Sequence, residues 1–283
     1  MLNHRRSNAL NWTILSVVLL IGVGERLISH AAQDPSKLTP IQLAIERQRQ
    51  RLGSAEIEDR REALMQLRAL QRPEASRVAL SALNDPAPIV RATATAAVLW
   101  LPADESVAGL VPLLGDKDEF VRQQTAYALG LTRSRSAVAG LVERLTDKKD
   151  SVRGAAAVAL GQIADASAVT ALAAVLNPQA GLATSKKGQK SKREKNEFIL
   201  RSAACSLGQI GNSAGVPALI GVLQDDKAEA DLRREAASAL GEIGDASAIP
   251  ALRDAATAGD PYLAETAHKA LKKISRAQTA GRV

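Results

Sequence analysis

The strongest constraint on this chain is a repeat. Aligning on Val121-Arg122-Gln123-Gln124-Thr125-Ala126-Tyr127-Ala128-Leu129-Gly130 finds Val152-Arg153 ahead of Ala156-Ala157-Val158-Ala159-Leu160-Gly161. It also finds Leu232-Arg233 ahead of Ala236-Ala237-Ser238-Ala239-Leu240-Gly241. The leucine position recurs at Leu67, Val98, Leu129, Leu160, Leu207, Leu240 and Leu271, at intervals of 31, 31, 31, 47, 33 and 31 residues. A period of this length is the signature of a solenoid, in which each unit buries its apolar face only against its neighbours.

Two helices fit in each period. The first carries Val, Ala, Ala and Leu at spacings of three and four, an apolar stripe with small residues where another helix must come close. Stop signals follow at Ala164-Asp165, Gly211-Asn212 and Gly244-Asp245: Gly suits the left-handed residue past a helix end, and Asp, Asn or a nearby Ser caps what comes next. The second helix has its own stripe, as in Val107/Leu110/Val111/Leu114, Val138/Leu141/Val142/Leu145 and Val216/Leu219/Ile220/Leu223. Pro112 falls inside one second helix and is predicted to bend or shorten it. The pattern predicts an all-α, right-handed solenoid of about six helix pairs over residues 55–277. An Arg-rich helix near 41–52 caps one end, an unpaired helix at 262–277 closes the other, and 278–283 is a tail.

These strings, Val-Arg-x-x-x-Ala-x-Ala-Leu-Gly-x-Ile and Gly-Asp-x-x-Ala-Ile-Pro-Ala-Leu, resemble HEAT-like repeats of the short kind named after phycobilin lyases. The resemblance covers most of the chain beyond residue 54 and speaks to fold, since a fold of this kind hosts many roles. In the resembling family, Asp and Arg of successive repeats hydrogen-bond across the stack and hold its register. The resemblance therefore implies a structural ladder from Arg91, Arg122, Arg153 and Arg233, each following a Leu-x-Asp string that ends in Asp85, Asp116, Asp147 or Asp225. Leu200 and Ala264 fill the Arg register, so the ladder is expected to break there. Some relatives are lyase or oxidoreductase-type accessory proteins, which is the enzymatic alternative. The related deoxyhypusine hydroxylase holds two irons with His-Glu pairs, and this sequence has none.

The N-terminus reads differently from the repeats. His4-Arg5-Arg6 precede an apolar run over residues 9–24 that ends at Glu25-Arg26. This is a basic region followed by an apolar core shorter than the ~20 residues of a comfortable membrane span. Ser29-His30-Ala31 offers small residues for cleavage ahead of Ala32, whereas Glu25-Arg26 favours an uncleaved anchor; residues 1–31 are one or the other, and 32–54 are a linker and capping helix. Either way the repeats are expected on the exported side of the membrane, periplasmic or anchored.

The remaining chemistry is sparse. One Cys excludes a disulfide within the chain, and three His leave little for a metal site, so no catalytic residue, metal or cofactor is expected. The 47-residue interval holds an insertion over 178–197 carrying Lys186, Lys187, Lys190, Lys192 and Arg193, which reads as a solvated loop or a contact for an anionic membrane surface or acidic partner. Nucleic acid is not expected: the net charge of +7 is spread widely and aromatic residues are only 2%. On the second helices Leu113, Val175 and Val222 share one register outside the stripe and define a candidate apolar groove for a protein partner. The function expected is a non-catalytic protein–protein interaction scaffold or adaptor.

Overall fold

A computed structural model describes residues 38–177 and 197–280. The signal or anchor at 1–31 and the body of the basic insertion lie outside the described residues. Among the described residues there are 14 α-helices and no strand, and none of the helices is long and apolar enough to cross a membrane.

The chain enters through α1 (Pro40–Arg51) and then alternates longer first helices with shorter second helices. The pairs are α2 (Ile57–Ala69) with α3 (Pro73–Ala79), α4 (Pro88–Ala97) with α5 (Ala103–Leu110), and α6 (Glu119–Thr132) with α7 (Val138–Arg144). They continue with α8 (Asp150–Ile163) and α9 (Val169–Leu176), α10 (Glu197–Ile210) and α11 (Val216–Gln224), then α12 (Ala230–Ile243) and α13 (Ile249–Ala256). The unpaired α14 (Pro261–Ala280) closes the stack.

First helices pack on first helices in chain order, and second helices sit beside their neighbours along the other layer. The seam is the repeat leucine: Leu67, Val98, Leu129, Leu160, Leu207 and Leu240 are all fully buried within one apolar core. Small residues set the spacing. An added Cβ at Gly208 would lie 2.9 Å from Ala239 Cα, and one at Gly241 would lie 2.8 Å from Ala270 Cα. The successive glycines thus let the first helices touch backbone to backbone.

Helix ends follow their chemistry. Gly211 and Gly244 take positive φ, and Ala164 and Arg133 do so without the freedom of glycine. Asp165, Asn212 and Asp245 then accept the N–H groups of Ser167, Ala214 and Ser247, starting short 3₁₀ turns that lead into the second helices. At Pro112 the second helix stops at Leu110 and continues as a 3₁₀ turn, Val111–Gly115.

The insertion leaves the stack continuous. α10 packs on α8 across it. The Ser206 hydroxyl donates to the Ala157 carbonyl at 2.8 Å, and the Phe198 ring occupies the space that a side chain at Gly154 would need.

Candidate functional site

Three buried ion pairs run along the first half of the stack. Arg60 donates through Nε and Nη2 to both oxygens of Asp85, at 2.7 and 2.9 Å. Arg91 does the same to Asp116 at 2.7 and 2.8 Å, and Arg122 to Asp147 at 2.8 and 3.0 Å. Each remaining Nη1 reaches back to carbonyls of the preceding connection, Ser54 and Ala55 for Arg60, Asp85 and Pro86 for Arg91, Asp116 and Lys117 for Arg122. Each Asp also accepts a backbone N–H two residues on, from Ala87, Asp118 or Lys149. All three nitrogens of each Arg fork thus donate, and each unit is tied to the connections on both sides.

Burial alone would raise these carboxyl groups, but the Arg hydrogen bonds, the backbone N–H and the nearby positive charge outweigh it, and Asp85, Asp116 and Asp147 are held below the usual carboxylate range. The guanidinium groups of Arg60, Arg91 and Arg122 are correspondingly raised, chiefly by the same hydrogen bonds. These side chains are engaged in holding the stack.

The ladder does not continue as the full sequence register implies. Arg153 reaches the Asp147 carbonyl at 2.9 Å and pairs with Asp150 within its own helix, because the residue 25 positions on, where the other pairs have Asp, is Pro178. Asp225 accepts the Lys227 N–H at 2.9 Å and has no ion pair among the described residues, since its Arg register holds Leu200. Arg233 donates to the Leu223 carbonyl at 3.0 Å and pairs with the exposed Asp226 at 3.2 Å. The next residue takes its place: Arg234 meets Asp260 at 3.0 Å and lies over the Tyr262 ring at 5.3 Å. Arg60 was the member missed from sequence. It lies 31 residues before Arg91, but Asp59 replaces the Val or Leu that precedes the other arginines.

The second-helix row is not an open groove. Leu113 and Val222 are buried and Val175 is half-buried against the core. In the 3₁₀ turn after α5, three residues per turn put Leu113 on the side of fully buried Leu110. Val222 is covered because α11 has α9 and α13 on either side of it in its layer and α12 beneath it. Lys186, Lys187, Lys190, Lys192 and Arg193 lie outside the described residues.

Exposed apolar surface sits on the first helices instead. Trp100 and Met65 are 44% and 45% exposed and Leu131 is 62% exposed. Trp100, three residues past the end of α4, and Leu131 share the position two residues past the repeat leucine, where α2 has Ala69. Between α2 and the end of α4 lies a groove of about 530 Å³ lined by Met65, Arg68, Ala69, Gln71, Ala96, Leu99 and Trp100. The signal was present in the register, but nothing in it distinguishes an exposed row from a buried one.

Among the described residues no three His, Cys, Asp or Glu side chains come together as a metal site requires. Cys205 is half-buried, and burial followed by the nearby Glu235 pushes its thiol up, away from the reactive thiolate.

The family model for HEAT repeats matches residues 45–130, 107–184 and 192–272. No curated protein sequence matches the chain. Among solved structures, Escherichia coli YibA is similar at 19% identity and a TM-score of 0.56, over 82% of this chain and 81% of that one. The complex of CpcE and CpcF of phycocyanin lyase from Nostoc aligns at 23% identity and a TM-score of 0.48, over 86% and 89%. Human deoxyhypusine hydroxylase aligns at 20% and 0.38, over 82% and 96%.

Proposed function

This chain belongs to the HEAT-repeat family, and from that premise we propose that it is a non-catalytic protein–protein interaction scaffold on the exported side of a bacterial membrane. The observation that carries this reading is the division of labour among its side chains. The buried charges are spent on the stack, while the first-helix face leaves Met65 and Trp100 exposed at a shallow groove and Leu131 exposed in the next unit. An exposed apolar row on a rigid repeat array is a surface for another macromolecule. Export is supported by the basic His4-Arg5-Arg6 ahead of the apolar run at 9–24.

The test is photo-cross-linking in the native cell with the full chain. A photoreactive residue is placed at Ala69 or Leu131 on the first-helix face, and at Ala139 or Pro217 on exposed second-helix positions. The scaffold reading expects reproducible adducts with one or a few defined proteins, from a fraction exposed to the exported side. Absence of any protein adduct at all four positions, or adducts confined to cytoplasmic proteins, contradicts it. Mass spectrometry of the cross-linked material also shows whether the mature chain starts at Met1 or at Ala32.

A further inference from the structure

The groove between α2 and the end of α4 has a chemical character of its own. Its lining combines the apolar Met65, Ala69, Ala96, Leu99 and Trp100 with one cation, Arg68, and no carboxylate. Several arginines on the neighbouring helices are matched, Arg61 with Glu58, Arg77 with Glu105 and Arg49 with Glu46, while the exposed Arg47 of α1 has no ion pair among the described residues. Arg68 is exposed and has no ion pair among the described residues, and the same holds for Arg72 just beyond it and for Arg133, which follows α6 beside Leu131. An apolar trough edged by unmatched guanidinium groups selects a partner with apolar anchors and carboxylates.

Resting on the scaffold reading, we propose that this first-helix face binds an acidic amphipathic peptide segment of another protein, with large apolar side chains on Trp100 and Leu131 and carboxylates on Arg68 and Arg133. Neighbouring helix axes lie ~8–10 Å apart, so the row from α2 to α6 spans about 20 Å. That distance is about 13 residues of α-helix. Trp and Arg are the side chains that most often carry the binding energy of such contacts. A second copy is disfavoured as the occupant, because a two-fold contact through this face sets its unmatched arginines against each other.

The test uses the full chain with Trp12→Phe, which leaves Trp100 as its single tryptophan. A displayed library of random peptides of about 16 residues, long enough for the helical span above, is panned on it and counter-selected on the Trp100→Asp variant. Enriched peptides are expected to carry net negative charge and at least two large apolar residues, and to shift Trp100 emission to shorter wavelength. Arg68→Glu and Leu131→Asp are each expected to weaken them by more than about tenfold. All three substituted side chains are exposed, and circular dichroism checks that each variant keeps its helices. Neutral or basic enriched peptides, or none that distinguish the two proteins, overturn the proposal. So does a dimer in sedimentation that Trp100→Asp converts to monomer, or binding to phosphatidylglycerol vesicles that depends on Trp100 in the absence of selected peptides. So too does an adduct from Ala69 to residues 9–24 of the same chain. A protein captured from Ala139 or Pro217 without any selective peptide ends this proposal and leaves the scaffold reading standing.

Discussion

Arg91 and Asp116 show what a side chain is worth when it is nearly buried and paired through both carboxylate oxygens. Removing one partner strands the other charge, which costs about 3–5 kcal/mol in such sites. Asp116→Ala is therefore expected to lower the unfolding free energy by about 3 kcal/mol in urea titration. Asp225→Ala removes only an exposed cap on the Lys227 N–H and is expected to cost less than about 1 kcal/mol. The pH dependence has a definite sign. Asp85, Asp116 and Asp147 have folded pKa values depressed below their unfolded ones, so their contribution is fully present above the ordinary carboxylate value near ~4. It is lost as the pH falls below that value and through the depressed folded ones. Asp116→Asn is expected to flatten the acid side of the stability curve, as followed by chemical denaturation at stepped pH. At this scale the sequence was partly legible. The period located Asp85, Asp116 and Asp147, but which Arg joined them depended on the residue 25 positions on, and Pro178 and Leu200 removed one partner each.

Helices of this protein are placed by small residues as much as by large ones. A methyl group at Gly208 or Gly241 would press on the backbone of the next first helix, and overpacking of this kind costs about 1–3 kcal/mol, more than the ~1 kcal/mol that helix propensity returns. Gly208→Ala and Gly241→Ala are thus expected to lower the melting temperature. Gly221→Ala, on α11 with nothing near the new methyl, is expected to stabilise by about 0.5–1 kcal/mol. Thermal unfolding of the three variants side by side checks the opposite signs. Element type was readable throughout, because the 3.6-residue stripe and the stop residues agree in each unit. Detail was less so: the second helices begin or end in 3₁₀ turns, and one such turn carried Leu113 into the core.

Over the whole molecule, the insertion interrupts the sequence period without interrupting the stack, since α8 and α10 meet as other first helices do. Deleting residues 179–194 restores a spacing of 31 between Leu160 and Leu207. The shortened chain is expected to keep its helical content and to melt within ~2–4 °C of the parent, because loop length contributes weakly to stability. Which surface stays open could not be read from one repeat. It is set by how neighbours cover each register position, so the row through Leu113 and Val222 closed while the row through Trp100 and Leu131 stayed exposed. On the proposed reading, an internal ladder holds the fold and an external face meets a partner. The most direct measurement compares Asp116→Ala with Trp100→Asp, each scored for unfolding free energy and for cross-linked partner in cells. That reading predicts that Asp116→Ala loses stability and, while folded, keeps the partner, whereas Trp100→Asp keeps stability and loses it. A Trp100→Asp protein that retains the partner, or that loses stability as Asp116→Ala does, contradicts it.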